Sequence, residues 1–126
     1  MARHPSPHPT ELELAILKIL WRDGPRSGRQ VRDTLAESRE LAYTSVMTIM
    51  KIMTTKKYVR RKREDGNYIY YPCVTEDAVG REMLGDLVAR VFDGSATAVM
   101  LNLLETAELN QRELEEVRKC LSRKKK

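Results

Sequence analysis

One change in hydrophobic spacing constrains the fold of this chain more than any other feature. Apolar residues recur at helical intervals of three and four through most of the sequence, but the segment 58–72 breaks this period. Within it, Asp65-Gly66 separates two runs rich in β-branched and aromatic residues, a strong signal for a β-hairpin. Pro72 ends the second run. The sequence therefore predicts one hairpin between helical segments.

Two short helices are predicted at the start of the patterned region. Thr10 is the expected N-cap of the first, and Asp23-Gly24-Pro25 stops it. The second helix opens at Ser27, with Gln30 three residues later as in a capping box. It is expected to end near Ser38.

A third helix is predicted from about Tyr43 to Lys56, just before the hairpin. Apolar residues at spacings of three and four mark its buried face, namely Val46, Ile49, Met50 and Met53. Three helices followed by a hairpin are typical of a winged helix-turn-helix, whose third helix enters the major groove of DNA. The candidate DNA-binding residues of this helix are Tyr43, Thr44, Ser45, Met47, Thr48 and Lys51.

The predicted hairpin carries four consecutive cations, Arg60-Arg61-Lys62-Arg63, followed by Asn67 at its turn. On a projecting wing, these side chains would neutralise phosphate or enter the minor groove of DNA. The alternative is that they protect a sheet edge from aggregation. The tyrosines of the second strand, Tyr68, Tyr70 and Tyr71, could stack on bases of a single strand, although packing of the wing on the helices is favoured.

Charge is unevenly distributed along the chain. Residues 1–74 hold 14 Lys and Arg against 8 Asp and Glu, whereas residues 75–126 hold 9 against 10. A basic first half indicates an electrostatic footprint for a polyanion. A mildly basic, solvated surface is the alternative explanation of the same numbers.

The segment 75–122 is predicted to form three further helices, which open at Thr75, Ser95 and Asn110. A segment of only about 50 residues supports no robust core alone, so we expect two copies to bury each other's apolar stripes. The alternative is that these helices fold back on the first part of the chain. The candidate dimerisation residues are Leu84, Leu87, Val88, Val91, Val99, Leu103, Leu114, Val117 and Leu121.

These patterns combine into a mainly α fold. We expect a winged-helix DNA-binding domain at 10–74 and a helical dimerisation domain at 75–122. A proline-rich, disordered head at 1–9 precedes them, and a basic tail at 123–126 follows.

Composition argues against several other classes of protein. Apolar runs are far shorter than the roughly 20 residues of a membrane span, and the first residues do not resemble a secretory signal. Only two cysteines, Cys73 and Cys120, fit a reduced, cytoplasmic setting. With both histidines, His4 and His8, in the head, a four-ligand zinc site is hard to build, so no metal or cofactor is expected.

Catalysis is not expected either. A nucleophilic triad needs a positioned histidine, and the glycines are too scattered for a phosphate-binding loop. The paired carboxylates Glu115-Glu116 are adjacent on a helix and therefore point apart. We interpret the protein as a binding protein rather than an enzyme.

Several blocks of the sequence resemble the BlaI/MecI-type penicillinase and methicillin-resistance repressors, a family of bacterial winged-helix transcriptional repressors. The matching blocks are Glu11-Leu12-Glu13, Leu20-Trp21, Leu41–Thr48, Tyr68–Pro72 and Leu109–Glu116. The resemblance extends over nearly the whole chain after residue 9.

The resemblance implies a homodimer that binds palindromic operators in double-stranded DNA. It also implies release by cleavage in the dimerisation domain, downstream of a membrane-bound β-lactam sensor with a metalloprotease, and the candidate bond is Asn102–Leu103. This chain departs from the family pattern at Ile52 and Lys57, where a basic residue and a glycine are usual, so its operator sequence stays open. With only Cys120 near the C-terminus, copper sensing is not expected. A winged-helix module that binds protein or RNA is the alternative function.

Overall fold

The order of elements places one hairpin among helices, as predicted. The computed structural model describes residues 8–124, so most of the predicted head and the last two residues of the tail lie outside the described residues. The elements are α1 Glu11–Asp23, β1 Arg26–Ser27, α2 Gly28–Leu35, α3 Tyr43–Thr55, β2 Val59–Glu64, β3 Asn67–Pro72, α4 Glu76–Arg90, α5 Ala96–Thr106 and α6 Gln111–Lys124. This architecture confirms the mainly α, winged-helix fold class.

The chain divides into two compact units, one ending at Met83 and the other beginning at Leu84. The division falls within α4. The domain limits expected from the sequence, 10–74 and 75–122, stay a prediction.

A three-stranded antiparallel sheet in the order β1-β3-β2 forms the wing of the first unit. Asp65 and Gly66 both have positive φ, 51° and 80°, which two-residue hairpin turns with the right twist require. Strand β1 was not predicted. It contains only two residues, with Arg26 opposite Tyr70, and so short a strand leaves no period to detect in the sequence.

The core of the first unit is built from one face of each helix and the base of the wing. Its fully buried side chains are Ile16, Leu17, Leu20, Val31, Val46, Met50, Met53, Val59 and Tyr70. The predicted inner face of α3 is confirmed at Val46, Met50 and Met53, while Ile49 is half-buried. Tyr70 belongs to β3, so the wing shares the core of the helices.

Local hydrogen bonds explain where the helices begin. Ser27 and Gln30 form the predicted capping box at the start of α2. Thr10 and Glu13 form a second one at the start of α1. Helix α2 ends at Leu35, earlier than predicted, because a turn closed by the Ser38 amide on the Leu35 carbonyl follows it.

The end of α3 fixes where the wing begins. The Tyr58 amide donates to the Met53 carbonyl at 2.9 Å, and Lys57 between them has a φ of 66°. This is the geometry of a Schellman motif, whose left-handed position favours glycine. Lys57 therefore adopts a conformation that is costly for a residue with a side chain.

A buried ion pair connects the start of α1 to the end of α3. The Glu13 side chain is only 4% exposed, and the Lys56 Nζ lies 3.0 Å from its Oε2. The same carboxylate accepts the Thr10 amide at 2.8 Å. Because each carboxylate oxygen has a donor, the charge of Glu13 is compensated inside the unit.

The second unit has little buried surface in the single chain. Ser95 caps α5 through the Ala98 amide at 3.1 Å, and Asn110 caps α6 together with Glu113, as predicted. Helix α6 continues to Lys124, slightly beyond the predicted end of the domain. Among the residues that the structure describes from 84 onward, only Val99 is buried.

The Glu13–Lys56 pair yields a stability prediction. Lys56→Ala should lower the free energy of unfolding by about 3 kcal/mol, because it leaves a buried carboxylate without its partner. The double variant Glu13→Gln/Lys56→Ala should recover much of this loss, since glutamine keeps the cap on Thr10 without the charge. Urea denaturation measures both. Equal stability of the single and double variants would show that the charge of Glu13 does not matter.

Candidate nucleic-acid interface

The outer face of α3 presents short polar side chains to solvent. Thr44, Ser45, Thr48 and Lys51 are all exposed, and Tyr43 at the start of the helix is half-exposed. Such side chains allow the backbone of a helix to approach a flat or grooved partner closely, while their hydroxyls offer both donors and acceptors.

Thr48 is already oriented by the helix itself. Its hydroxyl donates to the Thr44 carbonyl at 3.0 Å. The side chain therefore offers an oxygen lone pair and a methyl group, rather than a free donor, to a partner.

Met47 takes a different place from the other predicted residues of α3. It is half-buried, and its Sδ occupies the space next to Gly28 that a Cβ there would need. Met47 thus packs α3 against the start of α2. Gly28 is small because the two helices approach closely at this point.

The register of the wing places two cations on each of its faces. Arg61 and Arg63 share a face with Tyr68, and their guanidinium carbons lie 4.2 Å and 5.8 Å from the centre of its ring. Arg60 lies on the other face, 4.5 Å from the centre of the Tyr71 ring. Cation–π contacts at exposed sites are worth about 0.5–1 kcal/mol each. They hold flexible side chains in place while leaving the charges exposed.

Lys62 and Asn67 complete the predicted cationic surface of the wing. Both are exposed, with Lys62 opposite Ile69 and Asn67 in the first position of β3 after the turn. The three tyrosines of β3 differ in burial. Tyr70 is buried in the core, Tyr71 is half-buried, and Tyr68 remains partly exposed between two arginines.

A cleft of about 490 Å³ connects the start of α3 to the turn of the wing. Its lining includes Arg29, Tyr43 and Asn67. The Arg29 guanidinium carbon lies 5.3 Å from the centre of the Tyr43 ring. Sequence reasoning missed Arg29, because only the packing of α2 against α3 brings it beside Tyr43. The cleft therefore joins the start of α3 to Tyr68, the ring that Arg61 and Arg63 contact on one face of the wing.

The predicted dimerisation residues form a largely exposed apolar surface on the second unit. Val99 is buried and Val88 half-buried, whereas the other side chains of the set are between 38% and 63% exposed. Part of this surface is an apolar cleft of about 300 Å³ between α5 and α6. Asn102 and Leu103, the candidate cleavage residues, are exposed in the interior of α5.

Other classes of site receive no support from the described part of the chain. Residues 8–124 contain no cluster of three or more side chains that could hold a metal ion. The same residues include no helix that is both long and apolar enough to cross a membrane. Cys73 and Cys120 are free and exposed.

Tyr71 yields a prediction about pH. Its hydroxyl donates to the Glu64 carboxylate, and this bond is the main reason that the pKa of Tyr71 is raised. Because the fold favours the protonated phenol, this stabilisation is present below pH about 10 and is lost as pH rises through the higher folded pKa. In a tyrosine-resolved NMR titration, Glu64→Ala should shift the pKa of Tyr71 back towards its ordinary value, whereas Glu40→Ala, which removes an exposed carboxylate outside the wing, should not. An unchanged Tyr71 titration in Glu64→Ala would contradict this account.

Comparison with known proteins agrees with the architecture. The penicillinase repressor family matches residues 9–123. The transcriptional regulator BlaI of Mycobacterium tuberculosis is 34% identical over 97 residues, which cover 75% of this chain and 70% of that protein. The methicillin resistance regulatory protein MecI of Mammaliicoccus sciuri is 23% identical over 112 residues, or 89% of this chain and 91% of the relative. The predicted resemblance is confirmed, and the chain belongs to the penicillinase repressor family of transcriptional regulators.

Proposed function

We propose that this protein is a sequence-specific DNA-binding repressor that acts as a homodimer on palindromic operators. The observation that carries the proposal is the cleft that joins the start of α3, a helix with exposed polar side chains, to a wing with four exposed cations, two on each face. The names of its relatives, transcriptional regulators and a penicillinase repressor, support the same function.

In this proposal α3 occupies the major groove, where base edges can be distinguished. Ser45 and Thr48 contact bases, because they lie in the first two turns of the helix and are exposed. Thr44 lies beside them on the same face. Tyr43, at the start of the helix, and Lys51, about two turns further along, contact phosphates.

The wing and the cleft contribute affinity rather than sequence selection. Arg60, Arg61, Lys62 and Arg63 neutralise phosphates of the DNA backbone. Tyr68 holds Arg61 and Arg63 in place, which reduces the entropy lost on binding. Arg29 and Asn67 line the cleft between α3 and the wing. There they are in a position to contact the DNA backbone that separates the major groove from the minor groove.

The second half of the chain forms the dimer interface in this proposal. Residues 10–74 are the DNA-binding domain and residues 75–122 the dimerisation domain in this proposal. Support comes from the exposed apolar side chains on α4, α5 and α6, which a second copy would cover. Two linked half-site readers bind tightly, because the second one binds at a high effective concentration.

Cleavage at Asn102–Leu103 by a sensor-linked protease would end repression. Both side chains are exposed, but the bond lies inside α5 and is helical in the intact chain. A protease binds an extended segment, so α5 has to unwind locally before it is cut. The cut would separate α6 and its three apolar residues from the rest of the dimer surface.

The roles of helix and wing are separable by mutation. Thr48→Ala should lower discrimination between the operator and random DNA by about tenfold, because base contacts carry the sequence information. Arg61→Ala should weaken binding to both DNAs alike and reduce the slope of log affinity against log salt by about one unit.

Gel-shift titrations on operators selected from random duplexes measure both effects, with Lys124→Ala as a control cation outside the wing and structured RNA as competitor. Equal affinity for the RNA would refute the repressor proposal. Loss of specificity in Arg61→Ala but not in Thr48→Ala would show that the two roles are reversed.

The dimer surface yields a second prediction. Leu87→Asp places a charge in the apolar stripe of α4 and should give a monomer at micromolar concentration with a folded wing and a large loss of operator affinity. Ala89→Asp puts the same charge on another side of α4 and should remain a dimer. Analytical ultracentrifugation with a parallel gel-shift measures both. A dimeric Leu87→Asp protein with normal binding would place this stripe inside one subunit.

A further inference from the structure

One apolar side chain lies exposed in the middle of the polar face of α3. Ile52 is 44% exposed and belongs to no part of the buried core. It follows Ser45 by seven residues and Thr48 by four, so the three side chains lie in one line along the helix. Hydroxyl and cationic side chains dominate the remainder of this exposed face.

The fold gives no reason for isoleucine at this position. Isoleucine has a lower helix propensity than alanine, and nearly half of its surface stays in water. Lys57, which has a left-handed backbone conformation, already lowers the stability of the end of α3. An explanation in terms of a partner is therefore stronger than one in terms of stability.

The major groove contains one apolar group on its base edges, the C5-methyl group of thymine. Cytosine and guanine present an amino group and a carbonyl there, which would lose water against isoleucine without gaining a hydrogen bond. Thr48 adds a second methyl group on the same line, because its hydroxyl is turned to the Thr44 carbonyl. The line from Thr48 to Ile52 therefore offers an apolar contact within a polar face.

We propose that Ile52, supported by the Thr48 methyl group, contacts the C5-methyl group of a thymine and thereby specifies an A·T pair in each half-site. The inference rests on the proposed function, since it requires α3 to lie in the major groove. Ser45 and Ile52 are about 10.5 Å apart along the helix axis. The thymine is thus within about three base-pair steps of the pair that Ser45 contacts.

The experiment replaces thymines in a selected operator by deoxyuridine, which lacks only the methyl group. We expect one position in each half-site where this change weakens binding of the full-length protein by about fourfold, the effect of one methyl-sized apolar group. At that position, the change should weaken binding of Ile52→Ala clearly less, because only the Thr48 methyl group is left to contact the thymine. Thr55→Ala, an exposed variant in the last turn of α3, is the matched control and should respond like the unaltered protein.

Replacing the apolar side chain of Ile52 by a cationic one tests the same base contact. Ile52→Lys should prefer guanine where the unaltered protein prefers thymine, because an ammonium group pairs with the guanine acceptors. Circular dichroism and retained binding to random DNA check that both Ile52 variants are folded.

The outcomes separate the inference from the proposed function. If selection from random duplexes yields no preferred sequence, both fail. If it yields one, but the deoxyuridine scan is the same for the unaltered protein and Ile52→Ala, the repressor function stands and the thymine contact is refuted.

Discussion

The burial of Tyr70 is the interaction on which the arrangement of the candidate interface depends. It is the largest side chain that the first unit buries completely, and it lies on β3, between the short β1 and the cationic β2. Because Val59 and Tyr70 belong to the same core as the helices, the base of the wing has a fixed position relative to α3. A hairpin alone is only marginally stable in water, so this shared core is what makes the wing a fixed surface.

Helix α3 is held at its inner face and at its end, and its outer face is exposed. Val46, Met50 and Met53 are buried, while Lys56 ties the last turn to Glu13 of α1. Substitutions on the outer face should therefore change recognition more than stability. An outer side chain such as Ile52 can therefore change without disturbing the core.

Features encoded by local chemistry were predictable, and those created by tertiary packing were not. The hairpin follows from Asp65-Gly66, whose conformations a tight turn requires, and the starts of helices follow from capping residues such as Ser27. The Glu13–Lys56 pair joins residues 43 positions apart, and no local sequence pattern predicts it. The contacts of Arg29 and Met47 were not predictable either, because the packing of α2 on α3 determines their neighbours.

The two units differ in how far a single chain can stabilise them, and this difference bears on regulation. Helix α6 has no buried residue in the single chain, and an isolated helix of this length is marginal in water. Covering its apolar face by a second copy would stabilise the second unit and link two DNA-binding domains at once. Dimer formation, folding of α6 and operator affinity would then be coupled equilibria. In that case a cut in α5 would weaken all three together, although it lies far along the chain from every proposed DNA contact.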